Sequence, residues 1–223
     1  MRAVLALLLG LAACSSDSSG EIRTALVERF RPGQAEAEPA AAAPAPLTRA
    51  AIEATGQAML RARLVNETGR SVFAAQTANR GYVTYQSQFG QFLTLQTTLV
   101  TASRGAGFDL LAVSATPQDP LVSPRPVAEW PNSVPRVYRF AGQGPLGREV
   151  PVICRYEIGD VVEIEIVERR YRGPEVREIC EGSGVAFTNL LFADESTGFV
   201  WRSRQWLGPD QGRIDIEVLE PFG

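Results

Sequence analysis

At 223 residues and a formal charge of −3, the chain is long enough for one domain with a real core and has no basic field to draw nucleic acid. It contains no histidine, and all 22 of its basic residues are arginine. The missing histidine excludes Ser–His and Cys–His nucleophiles and removes the commonest zinc and iron ligand. The missing lysine excludes Schiff-base chemistry, Ser–Lys dyads and a P-loop, so much of enzymology is closed by inventory alone, and no metal site is expected.

Met1-Arg2 is followed by an almost purely apolar run from Ala3 to Ala13, then by Cys14 and the small polar residues Ser15 to Gly20. These are the parts of a secretory signal, and the apolar run falls well short of the roughly 20 residues a spanning helix needs. Leu11-Ala12-Ala13-Cys14 resembles the lipobox of bacterial lipoproteins, in which the cysteine is acylated with palmitate-type chains and becomes the first residue. The expectation is a signal peptide over residues 1–13 and lipidation at Cys14, with an ordinary secretion signal as the alternative. Losing Arg2 takes the charge from −3 to about −4. The residue after Cys14 is not a retention aspartate, which points to the outer membrane, with the domain facing the periplasm.

Residues 14–46 read as a lipidated cysteine and flexible tether. Glu36 to Pro46 is almost wholly Ala, Pro and Glu, too poor in apolar surface to offset its ordering entropy. Ile22, Leu26, Val27 and Phe30 fall near helical spacing within it. Residues 47–223 read as a β domain. A helix is predicted from Thr48 as N-cap to Thr55, with Gly56 ending it. Leu60, Ala62 and Leu64 then alternate with Arg61 and Arg63. Strands follow at Val72–Thr77 and Tyr82–Gln88, joined by a hairpin turn at Asn79-Arg80-Gly81. Phe92–Ala102 reads as one strand, and Gly105 to Pro135 as a proline-rich loop. Strands return at Arg136–Phe140, Glu149–Glu157 and Val161–Tyr171, with a turn at Arg172-Gly173-Pro174 before Glu175–Cys180. Val185–Phe192, Gly198–Trp206 and Arg213–Leu219 complete the pattern. The fold class is mainly all-β: an antiparallel meander forming a curved sheet or incomplete barrel, with one or two short helices.

Besides Cys14 the chain has Cys154 and Cys180. An even pair in an oxidising compartment, without CxxC spacing or histidine partners, predicts a structural disulfide. The densest cluster of chemistry is Trp201 to Pro209. On a strand, Trp201, Ser203 and Gln205 share one face and Arg202, Arg204 and Trp206 the other. Arg202, Arg204 and Trp206 are therefore the candidate polymer or partner contact, stacking on a sugar and gripping its carboxylates. The plainer reading puts Trp201 in the core and pairs both arginines with Asp215 or Glu217. Asp109, Asp119, Glu129, Asp194 and Glu195 are the acids from which a catalytic pair would be drawn, while Gly105-Ala106-Gly107 reads as a turn.

Leu99 to Leu110, the run Trp201-Arg202-Ser203-Arg204-Gln205-Trp206-Leu207-Gly208-Pro209 and the end Ile216 to Pro221 resemble the YjbF/GfcB family of bacterial lipoproteins. The resemblance spans about residues 48–221. It implies an all-β domain, a part in producing exopolysaccharide or group 4 capsule, no enzymatic activity and no cofactor. The expected partners are the membrane, through the lipid anchor, and other exopolysaccharide-export proteins, with the polysaccharide itself as a further candidate. Two readings from other classes stand beside it: a carboxylate-dependent polysaccharide hydrolase or lyase, and a lipid or lipoprotein carrier with a half-barrel pocket.

Overall fold

The computed structural model describes residues 46–64, 68–142 and 147–223. The signal peptide, Cys14, the tether and its helical stretch lie outside the described residues. Helix α1 (Arg49–Thr55) opens at Thr48, whose Oγ1 accepts from the Ala51 amide at 3.2 Å, and closes at Gly56 with φ 60°. These are the cap chemistries that the sequence signals.

The strands among the described residues are β1 (Met59–Leu64), β2 (Ser71–Asn79), β3 (Tyr82–Ser87), β4 (Phe92–Gln96), β5 (Leu99–Arg104), β6 (Leu110–Ala115), β7 (Ser133–Phe140), β8 (Arg148–Ile166), β9 (Arg169–Gly182), β10 (Val185–Ala193), β11 (Val200–Gly208) and β12 (Gly212–Glu220). They pair antiparallel in the order β5-β4-β3-β2-β1-β12-β11-β10-β9-β8-β7-β6. Pairing of β1 with β12 joins the two ends of the domain, which leaves β5 and β6 as the edges. A five-residue connection links them, so the sheet curls into a nearly closed barrel. Side chains close the seam: Leu110 N donates to Ser103 Oγ at 3.0 Å, and Val100 N donates to Gln205 Oε1 at 3.0 Å from across the barrel. Each of these bonds takes up one backbone N–H of the edge strands within the barrel.

The interior is filled. Trp206 stacks on Phe187 with ring centroids 4.2 Å apart and meets Tyr138 and Phe140 edge-on, among Leu60, Leu93, Leu95, Leu110, Leu207 and Ile214. A half-barrel lipid carrier needs a deep apolar pocket, and this packing occupies its place. Cys154 and Cys180 face each other across β8 and β9 and are joined by a disulfide inside this core.

Several elements differ from the sequence pattern, each for a local reason. Phe92–Ala102 is two strands, because Thr97 takes a positive φ (53°) without a glycine to announce it. β6 lies within the predicted loop, and β7 begins before Pro135. The predicted turn at Arg172-Gly173-Pro174 is strand, and the reversal comes instead at Val167 and Glu168, with φ 43° and 64°. Gly173 serves a different purpose: a Cβ there would collide with the Ala193 carbonyl.

The long β8–β9 hairpin bends where its register shifts between Ile158 and Val161. Its tip lies against the outer face of the barrel. Ile166 is fully buried with Ile52, Met59 and Leu219, Tyr171 meets Trp201 at 4.3 Å, and Arg49 Nη2 reaches the Ile166 carbonyl at 3.4 Å. This second small core makes the outer face concave.

Candidate functional site

Outside the barrel, β1, β12 and β11 run side by side, with Arg61, Arg63, Asp215, Glu217, Arg202 and Arg204 all facing outward. The register places Arg61 and Arg202 on either side of Glu217, and Arg63 and Arg204 on either side of Asp215. Arg61 and Arg202 donate to Glu217 at 2.8 and 3.1 Å, and Arg70 adds a third contact at 3.0 Å. Arg63 and Arg204 both donate to Asp215 at 2.6 Å. Five guanidinium groups thus share two carboxylates. Burial pushes the Asp215 carboxyl up, but the hydrogen bonds and charges of Arg204 and Arg63 outweigh it and hold the group below its ordinary value. Its partner Arg204 is correspondingly raised, chiefly by the bond to Asp215.

These residues floor a groove of about 870 Å³ between the barrel and the bent β8–β9 hairpin, within the roughly 300–1,000 Å³ usual for ligand clefts. Glu157, Asp160, Glu165 and Glu175 form the facing wall together with Arg177, which pairs with Glu157 at 3.1 Å, and Ile158 and Leu190, both about half exposed, lie at the apolar margins.

Arg202 and Arg204 sit in this groove as candidates, and their pairing follows the plainer reading of the sequence. Trp206 does not join them. Strict alternation fails at both ends of β11: a shift near Phe192/Ala193 lets Trp201 and Arg202 share the outer side, and another between Trp206 and Gly208 accompanies the turn of Trp206 into the core. Trp206 N donates to Asn189 Oδ1 at 2.8 Å. The aromatic member of the predicted contact is therefore a packing residue. Arg61, Arg63 and Arg70 are the members that sequence reasoning missed.

The candidate acids are dispersed among structural tasks. Asp109 braces the Gly105–Gly107 turn by accepting from Gly105 N, Ala106 N and Ser103 Oγ. Asp194 accepts from the amides and hydroxyls of Ser196 and Thr197. Although burial opposes it, these bonds keep its carboxyl below the ordinary value. Glu129 ends the short 3-10 turn Val127–Glu129, and the Glu195 carbonyl accepts from Val127 N.

Asp119 belongs to a fully buried cluster. Arg136 Nε and Nη2 donate to its two oxygens, Arg136 Nη1 donates to Glu178 Oε2 at 2.9 Å, and Asn189 donates to the same Glu178 oxygen at 2.6 Å. Burial disfavours the Arg136 charge, but Glu178 and Asp119 overcome that and raise its pKa well above normal. Glu178 also lies beside Cys154 and Cys180. Both sulfurs are committed to the disulfide, so the trio offers no thiolate to a metal.

A search among curated proteins finds no match. Among solved structures the chain is similar to the hypothetical lipoprotein YmcC from Escherichia coli (K12), with 17% identity and a TM-score of 0.67 over 94% of this chain and 99% of that one. At that identity the likeness speaks for the fold. The family described as group 4 capsule polysaccharide lipoprotein GfcB, YjbF, matches residues 21–219. With nearly the whole chain covered, the protein belongs to the YjbF family of group 4 capsule polysaccharide lipoproteins.

Proposed function

We propose that this lipoprotein is anchored through Cys14 in the outer membrane, faces the periplasm, and supports the assembly or export of a capsule-type exopolysaccharide without itself being an enzyme. The observation that carries this reading, within the family's link to capsule polysaccharide, is the groove whose two floor carboxylates are clamped by five arginines. Glycoside cleavage by paired carboxyls needs one of them protonated at working pH. Both floor carboxylates are instead spent on guanidinium groups, three on Glu217 and two on Asp215. The floor offers fixed charge and hydrogen-bond donors, which hold a ligand rather than break it. Two acyl chains on Cys14 give firm anchoring, at about 0.8 kcal/mol per buried CH₂. The expected partners are other export proteins, to be identified by cross-linking in the native membrane.

The test is genetic. A clean deletion lowers surface polysaccharide, the wild-type gene restores it, and a Cys14→Ser gene restores it poorly. Unchanged polysaccharide yield and architecture in the deletion would refute the reading.

A further inference from the structure

We infer that the groove binds the carboxylates of an acidic glycan, with Arg70, Arg202 and Arg204 as the arginines that reach it. The inference rests on the proposed role in polysaccharide production and names the ligand class for that site. Its first support is stoichiometry. One guanidinium neutralises one carboxylate, yet Glu217 holds Arg61, Arg70 and Arg202, and Asp215 holds Arg63 and Arg204. The floor alone therefore carries three more guanidinium groups than carboxylates, while the wall carries Glu157, Asp160, Glu165 and Glu175 against Arg177, so the two sides of the groove bear opposite charge.

Orientation is the second support. Arg61 is three-quarters covered, whereas Arg70, Arg202 and Arg204 are 40–47% exposed and line the open groove. Arg202 and Arg204 spend their Nε–Nη2 edges on Glu217 and Asp215, and Arg70 spends Nη1 on Glu217, so the groove is offered the Nη1 donors of the first two and the Nε and Nη2 donors of Arg70, as charge-assisted partners for a carboxylate. Bonds to Glu217 and Asp215 on β12 fix these guanidinium groups before any ligand arrives, which lowers the ordering cost of binding through their remaining donors.

The facing wall narrows the class. Glu157, Asp160, Glu165 and Glu175 are acceptors for sugar hydroxyls, and they repel a ligand that is anionic all over. A polyphosphate has no hydroxyls to offer that wall. A neutral glycan makes no ion pair with the floor arginines. A uronate ring, with hydroxyls on its edges and one carboxylate, satisfies both sides, while Ile158 and Leu190 offer apolar contact to its C–H face.

The experiment uses the full-length protein in detergent, titrated calorimetrically with oligogalacturonate, dextran and polyphosphate of matched length. Arg70→Gln/Arg204→Gln removes two of the surplus charges while leaving Arg61 and Arg202 on Glu217 and Arg63 on Asp215, so each carboxylate keeps a partner. Arg80→Gln/Arg139→Gln, neither of which lines the groove, removes the same charge as a control. Oligogalacturonate binds, binding weakens with salt, and the groove variant loses roughly 3- to 30-fold in affinity while the control keeps it. Dextran does not bind. Absence of oligogalacturonate binding, equal losses in both variants, or tighter binding of polyphosphate each overturns the inference. The deletion test reads polysaccharide yield without reference to the groove, so failure of one leaves the other standing.

Discussion

The buried Arg136 cluster and the groove floor use the same chemical groups in opposite proportions. Inside the barrel one arginine serves two carboxylates, Asp119 and Glu178, and all three side chains are sealed from water. On the outer face five arginines serve two carboxylates, and most of them stay partly wet. In a low-dielectric interior every charge must find its partner within the fold, because an unpaired one is very costly. At a solvated surface a surplus is tolerated and remains available. The difference teaches where to look for function: in the cluster whose charges the protein has not itself consumed.

The largest expected effect breaks the interior cluster. Arg136→Met leaves Asp119 and Glu178 buried side by side without a cation, at a cost of about 3–5 kcal/mol, read from urea unfolding of the full-length protein. Trp206→Ala is expected to cost a similar 3–5 kcal/mol through the cavity it leaves against Phe187 and Tyr138. If Trp206 acted as a surface contact for polymer, stability would hardly change. Removing the disulfide with Cys154→Ala/Cys180→Ala opens a loop of sequence separation 26, worth about 3.5 kcal/mol in the chain-entropy model.

Acid and alkali separate the two regions. Asp215 is depressed in the fold, so its contribution is fully present above the ordinary carboxylate range and is lost as pH falls below about 4. Tyr138 runs the other way: burial, partly opposed by Arg136, pushes it from 10.0 up to about 12. Its contribution is present below pH 10 and is lost as pH rises from about 10 to 12. Unfolding midpoints across pH therefore show an acid limb that flattens in Asp215→Asn and an alkaline limb that flattens in Tyr138→Phe. The smallest effect on stability belongs to Arg70→Gln/Arg204→Gln, under about 1 kcal/mol because both side chains are solvated.

The strands that carry strict alternation were legible from sequence. Leu60, Ala62 and Leu64 pointed inward and Arg61 and Arg63 outward, as they do in the barrel. The caps Thr48 and Gly56 marked α1, and the family resemblance in Trp201–Pro209 agrees with the family match. Much of what failed has a common physical origin: backbone reversals and bulges that use unadvertised residues. Thr97, Val167 and Glu168 turn without glycine, and two register shifts in β11 redistribute Trp201 and Trp206 between the faces. The groove itself was half visible. Arg202, Arg204, Asp215 and Glu217 lie on one hairpin, so their pairing could be read, whereas Arg61, Arg63 and Arg70 arrive from β1 and the chain after it. Only the β1–β12 ladder, between elements about 150 residues apart, brings them in. Asp119, Arg136 and Glu178 likewise come from three separated segments, and no local pattern announces their meeting.

The most direct test of the central claim is surface polysaccharide in a deletion strain carrying Arg70→Gln/Arg204→Gln at wild-type protein levels. Polysaccharide is expected to fall toward the deletion level although the protein remains folded and membrane-bound. Full restoration by this variant would contradict the claim and return the groove arginines to a purely structural role.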